Sequence, residues 1–437
     1  MTGSGDNARV SAHFSSPPPA LPPSTSPALP TPSPGRSARV PVVIVGAGPA
    51  GLTLAGVLRD ASVDCVVLEA ESRRFIETRP RAGFLEEWAV RALWRRGLAG
   101  PGLLEAQRHG ECEFRVGGER HRFRYADLSG HHHVVYPQPR LVTDLVHHYA
   151  DVLGGDIRFG VREVELHGID TDTPAVSYTD PDSGARVRLE CAVIAGCDGA
   201  RGVSRAALPA EYRAPARLDY GVGWLALLAE APPSSDCVVF GIHPRGFAAH
   251  MARSPEMTRY YLQCPPGDDP ENWPHDRVWS ELHERLGAAG APPPAEGTLV
   301  EKRVLDMHNQ VARAVSYGRL YLAGDAAHLV APIAAKGMNL ALFDALVLAD
   351  ALVSYVHRGG FEGLRRYAAT SLRRVWEYQE FSQWFCELLH GPSSGDPFRA
   401  GMAAARLSRL FDSPVAAASF AEAYIGAASE RHLPDFP

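Results

Sequence analysis

Residues 40–71, VPVVIVGAGPAGLTLAGVLRDASVDCVVLEAE, constrain this chain more than any other stretch. Two short apolar runs, rich in valine, flank a glycine turn and a helical segment. Apolar runs without alternation are strands buried on both faces. The order strand, helix, strand is a βαβ unit, and it predicts an α/β fold that opens with a doubly wound parallel sheet. Gly46, Gly48 and Gly51 form G-x-G-x-x-G between the first strand and the helix. The first glycine permits the tight turn, the second lets a pyrophosphate approach the backbone, and the third lets helix and strand pack closely. The helix N-terminus adds unpaired N–H groups and the positive end of a dipole. Glu69 closes the second strand, near the spacing at which a carboxylate grips ribose hydroxyls. The glycines alone fit any α/β turn. With both strands, the helix and the acid in place, they predict a Rossmann-like dinucleotide-binding domain.

Two later stretches decide which dinucleotide. AGCDGARGVSR puts Asp198 and Gly199 after the apolar run CAVIAGC. LYLAGDAAHLVAPIAAKGMNLALFDA puts Gly324 and Asp325 after another, then Pro332, Lys336, Gly337 and Asn339 leading into a helix. An aspartate at a strand end can hold a ribityl hydroxyl, and a helix starting near Gly337 can aim N–H groups at the carbonyl end of an isoalloxazine ring. Three such sites in this order point to FAD.

The chain has 437 residues, enough for two or three cores. Residues 1–38, dominated by Pro, Ser, Thr and Ala, read as a disordered extension with no part in the chemistry. The expected division is an FAD-binding domain over 39–214, a substrate-binding sheet over 215–310, a return to the FAD domain over 311–345 and a helical, dimer-forming region over 346–437. Within it, 81–108 reads as helical, 112–136 as a β-ribbon with an SGHHH loop, and 218–264 as sheet. A net charge of −6 gives no reason to expect nucleic acid. No apolar run reads as a membrane span. Seven scattered cysteines without a CxxC pair fit reduced thiols in a cytoplasmic protein and no structural metal. His131, His132 and His133 lack an acid or thiol at ligand spacing and read as a polar loop.

CVVFGIHPRGFAAHMARSPEMTRYYLQC, residues 237–264, alternates apolar and polar positions through three runs separated by turns. It reads as a β-meander, with Phe240, Met251, Arg253, Arg259 and Tyr261 among its half-buried positions. Taken alone, the arginines fit either a solvated face or an anion site.

The chain resembles the single-component FAD-dependent aromatic hydroxylases, and within them the 4-hydroxybenzoate 3-monooxygenase type. The resemblance runs from about Val40 to Tyr424 and rests on RPRAGFLEEW, AGCDGARGVSR, GWLALLAEAPP, HPRGFA, RYYLQ, LAGDAAH, AKGMNLA and AEAYIG. It implies that Gly46, Gly48, Gly51, Glu69, Arg81, Gln138 and Asp325 hold FAD, that Asp198 belongs to a motif linked to both FAD and NAD(P)H, and that Lys336, Gly337 and Asn339 flank the flavin ring. It further implies that NADPH or NADH reduces the flavin without a domain of its own, that Arg259 governs the flavin's position, and that the chain forms a homodimer. Arg253 matches an arginine that grips a benzoate carboxylate, with Tyr261 beside it. Pro332 matches a proline whose carbonyl lies close to the ring substituent. Tyr424 and His109 match members of a proton relay.

Two departures bear on the substrate. Phe240 stands where the resemblance calls for a tyrosine that takes the phenolic proton, and Met251 where it calls for a serine on the carboxylate. Ile333 and Ala334 differ beside Pro332. Hydroxylation needs an electron-rich ring; a phenol becomes so on losing its proton, whereas an aromatic amine is donating while neutral. An aminobenzoate, a hydroxybenzoate in another orientation, and slow turnover of 4-hydroxybenzoate all stay open. A flavin oxidoreductase that inserts no oxygen, and a flavin-binding protein without turnover, are the alternatives of other classes. In AESRRFIE, Glu71 opposes a 2′-phosphate while Arg73 and Arg74 favour one, so NADH and NADPH both remain.

Overall fold

A computed structural model of the chain describes residues 39–79 and 83–433. The N-terminal extension and Arg81 lie outside the described residues.

The first sheet is parallel through Leu320–Leu322, Arg186–Gly196, Val40–Val45, Cys65–Glu69 and Asp156–Phe159. Val43, Ile44, Val193 and Ile194 at its centre have no exposed surface, as their unbroken apolar pattern requires. An antiparallel meander of Arg162–His167, Ala175–Thr179 and the outer half of Arg186–Gly196 branches from it. The Pro49–Asp60 helix starts with proline in its first turn, after Gly48 in an extended conformation. Every residue from Ala50 to Leu58 is buried, because the helix is covered by both the sheet and the Lys336–Arg358 helix.

The second sheet runs His328–Leu329, Thr298–Val311, Ala216–Glu230, Met257–Cys264, Ala248–Ser254, Val238–Ile242, Cys112–Val116 and Glu119–Phe123. The meander predicted over 237–264 is its middle. Its last two strands come from the segment assigned to the FAD domain: Cys112–Val116 pairs in parallel with Val238–Ile242. The stretch 112–136 is therefore not one ribbon. It is a hairpin, a short helix Tyr125–Ser129, and a strand His133–Val135 in a separate three-stranded sheet with Phe84–Glu86 and Arg108–His109.

Four helices, Lys336–Arg358, Glu362–His390, Pro397–Asp412 and Pro414–Ile425, complete the chain. Lys336–Arg358 corrects one expectation: its 23 residues and hydropathy of 1.6 suit a membrane span. Its Leu340–Ala349 stretch is buried, packed between the Pro49–Asp60 and Glu362–His390 helices.

Candidate active site

A cleft of about 1030 Å³ lies between the two large sheets and takes side chains from both. At one end is the glycine turn. Gly46 has φ +103°, and a Cβ there would lie 2.5 Å from the Cys197 carbonyl oxygen. A Cβ on Gly51 would lie 2.0 Å from the Gly46 oxygen, whereas one on Gly48 would meet nothing within 4 Å. The outer two glycines are thus packing positions, and the middle one leaves a cradle open to the cleft. Glu69 braces the turn: one carboxylate oxygen accepts from Ala47 N at 2.7 Å and the other from Glu71 N at 2.9 Å. Asp198 accepts from Ser204 N at 2.8 Å, while its Oδ1 is buried with no hydrogen-bond partner among the described residues. Burial pushes its carboxyl above the usual range. Gly46, Gly48, Glu69, Gln138, Asp198, Asp325 and Gly337 all line the cleft. The open cradle at the helix N-terminus fits a diphosphate, and the unpartnered Asp198 oxygen, an acceptor, fits a hydroxyl of the same cofactor.

Behind Asp325, Gly324 N donates to Asp344 at 2.9 Å, and Asp344 also holds His328 at 2.6 Å and Ser371 at 2.5 Å. Ala334 and Ala335 then take φ of +57° and +55°, left-handed values that cost about 1–2 kcal/mol each for a residue with a Cβ. That turn starts the Lys336–Arg358 helix with Gly337 on the cleft.

The same turn corrects two expectations. Lys336 has no exposed surface, and its Nζ donates to Glu86 and to the Tyr424 carbonyl, both at 2.6 Å. Asn339 accepts from Glu86 N at 2.9 Å and donates to the Ala335 carbonyl at 2.9 Å. Neither side chain lines the cleft. Both tie the helix start to the strand Phe84–Glu86.

The other end of the cleft is aromatic and aliphatic. Phe240, Met251, Tyr261, Trp224, Leu305, Ile333 and Tyr424 line it, with Pro332 on its floor. Phe240 packs among Phe114, Phe385 and Tyr424, with ring centroids 5.3–6.5 Å apart. Into this wall Arg253 brings a guanidinium whose Nη1 is buried without a hydrogen-bond partner among the described residues. Burial lowers its pKa, and Arg259 adds to that while Tyr261 and Glu301 oppose it. Arg259, also in the wall, donates to Glu301 at 2.7 Å, and Arg303 pairs with the other Glu301 oxygen at 2.8 Å. Glu301 thus compensates Arg259, while Arg253 Nη1 is left without a partner in an apolar setting.

His109 lies behind the cleft wall. It is 4% exposed, packs edge-on to Phe84 at 5.5 Å, and does not line the cleft. His133, read as loop, does line it, buried in a strand. His131 and His132 instead meet Glu87, at 3.5 and 3.9 Å. Trp224 also went unnoticed. Its Nε1 donates to His390 Nε2 at 3.1 Å, and His390 Nδ1 lies 2.7 Å from Gln263 Oε1. An indole N–H only donates, so His390 must accept and is neutral; burial lowers its pKa to about 3. Residues 223–227 are buried without alternation, so no pattern set Trp224 apart and nothing local marked its partner.

Residues 39–382 match a family model described as an FAD binding domain. The chain is 33% identical over 392 residues to a p-hydroxybenzoate hydroxylase of Acinetobacter baylyi, covering 90% of this chain and 96% of that protein. It is 27% identical over 343 residues to a para-nitrophenol 4-monooxygenase of a Pseudomonas species, covering 73% of this chain and 79% of that one. The crystal structure of a p-nitrophenol 4-monooxygenase from Pseudomonas putida superposes with a TM-score of 0.75 at 22% identity, over 91% of this chain and 99% of that chain.

Proposed function

Because the chain belongs to the family of FAD-dependent aromatic hydroxylases, enzymes that use FAD, NAD(P)H and O2, we propose that it hydroxylates a benzoate-type acid ortho to a hydroxyl or amino group. The observation that carries this reading is Arg253, a buried guanidinium with an unpartnered Nη1 in an apolar, aromatic wall. A planar guanidinium matches a carboxylate with paired donors. A hydrogen bond to a charged group there is worth roughly 1.5–3 kcal/mol.

FAD, when bound and reduced by NAD(P)H, would activate O2 so that one oxygen atom enters the ring and the other leaves as water. The chain's residues bind and orient. Gly48 and the two helix N-termini would hold the cofactor's phosphates and ring, and Glu69 and Asp325 its ribose and ribityl hydroxyls. Arg253 and Tyr261 fix the acid, and Met251, Leu305 and Ile333 keep water from it. Arg259, paired with Glu301, would govern the flavin's position. Family membership sets aside the readings without oxygen insertion.

Phe240 favours a second, narrower reading: an aminobenzoate, which needs no phenolic proton removed. Arg73 is committed to Glu77 at 2.8 Å and to Asp151 at 2.6 and 2.8 Å, which leaves one arginine fewer for a 2′-phosphate and favours NADH. Exposed Phe398 and Val415 on the C-terminal helices support a homodimer, to be measured by light scattering.

The test is a panel of hydroxy- and aminobenzoates and their uncharged amides, with NADH and NADPH oxidation and product masses. Product one oxygen heavier is expected from an acid and not from its amide. In Arg253→Ala, KM for the acid should rise at least tenfold with FAD still bound. Equal turnover of acid and amide would sink the carboxylate assignment.

A further inference from the structure

His133 is used by none of the steps above. It is 2% exposed, begins the His133–Val135 strand and lines the cleft beside Tyr424. The two rings stand 5.0 Å apart at 85°. On its other side the Tyr125 hydroxyl oxygen lies 3.3 Å from His133 Nδ1, and that hydroxyl donates to the His109 carbonyl at 2.6 Å. A phenol has one hydrogen to give. Toward His133 the Tyr125 oxygen is therefore an acceptor, and Nδ1 carries the imidazole's proton. Nε2 keeps its lone pair, buried and without a hydrogen-bond partner among the described residues. Fixing one ring nitrogen as donor and leaving the other bare is the arrangement that makes a histidine a proton acceptor.

We infer that His133 takes up the proton that leaves the aromatic ring on hydroxylation, an assignment that rests on the aromatic-acid site above. When oxygen enters, the attacked carbon holds both its hydrogen and the new oxygen. The C–H bond breaks, its electron pair restores the aromatic ring, and the proton passes to Nε2. The imidazolium returns that proton to water before the next turnover. Oxidant and reductant are those of the family's reaction. Phe240 has no hydroxyl for this task, and His109 does not line the cleft.

The surrounding groups fit this cycle. Burial pushes the imidazole pKa well below its ordinary value and the Lys336 charge adds to that, while the Tyr424 backbone opposes it. Lys336 is itself balanced by Glu86. Burial pushes both Tyr125 and Tyr424 up, so neither competes as a base. The neutral ring is thus a weak base. A weak base suffices, because regaining aromaticity drives the proton off.

His133→Gln keeps a polar side chain and removes the titrating group. It is expected to bind FAD like the wild type, with KM for the acid within about threefold, kcat about 100-fold lower and the acid limb of the kcat–pH profile lost. Tyr125→Phe keeps the imidazole and removes its orienting acceptor; kcat should fall about tenfold with that limb displaced. A His133→Gln enzyme with wild-type kcat and pH profile overturns the assignment. Should that variant fail to bind FAD, an undisplaced profile in Tyr125→Phe overturns it instead. Both are measured on an acid that the wild type converts to a product one oxygen heavier. Such product with unaltered variants removes His133 alone, whereas no product from any acid removes the site reading as well.

Discussion

Gly83 and Arg253 share one space: a methyl group on Gly83 would lie 1.5 Å from Arg253 Nη1. The atom in the way is the tip of a flexible side chain, so Gly83→Ala should fold and displace the guanidinium. We expect KM for an aromatic acid to rise about tenfold, as for loss of a charged hydrogen bond, with FAD content unchanged. Steady-state kinetics beside flavin absorbance measure both. An unchanged KM would mean that Arg253 does not meet the acid from this position.

Lys336 and Glu86 form a fully buried pair, with Trp88 Nε1 donating to Glu86 at 2.5 Å and the Tyr378 hydroxyl donating as well. Lys336→Met strands the carboxylate and should cost about 3–5 kcal/mol in denaturant unfolding. Lys336→Met with Glu86→Gln should recover a large part of that. If the double variant is no more stable than the single, the pair is not what holds the helix start.

His328 gives a pH dependence. Burial alone would lower its pKa, but the Asp344 carboxylate outweighs it and the net direction is upward. The folded value then exceeds the unfolded one of about 6.5. The stabilisation is fully present below about pH 6.5 and is lost as pH rises through the folded value. Unfolding free energy measured from pH 6 upward should decline in the wild type, and His328→Gln should lack that component. Parallel curves would show that the imidazole does not titrate with folding.

Phe240→Tyr should raise turnover of 4-hydroxybenzoate, by about tenfold of the roughly 10²–10⁴ that base assistance can contribute, and leave an aminobenzoate unaffected. Coupled NAD(P)H oxidation and product yield on both substrates decide it. Equal effects on the two would show that the missing hydroxyl is not why this position is phenylalanine.

The glycine turn and its strands were legible because everything that forms them lies within 32 residues and follows one period. Arg253 was legible as half-buried, and only resemblance made it a clamp. Lys336 and Asn339 were misread because the left-handed pair Ala334–Ala335 turns the helix start, and no local signal marks a non-glycine residue for positive φ. His133 was hidden for another reason. Its burial depends on pairing with Glu86 and His109, strands that the chain reaches only through long connections.

The parallel pairing of Cys112–Val116 with Val238–Ile242 has a consequence for handling this enzyme as parts. Residues 215–310 are not an excisable module. Cutting there exposes the edge of Val238–Ile242, and Phe240 loses the Phe114 ring 5.4 Å away. Grafting a relative's pocket into this chain would require exchanging two distant segments together, since half of the pocket's backing is laid down before the FAD sheet is complete.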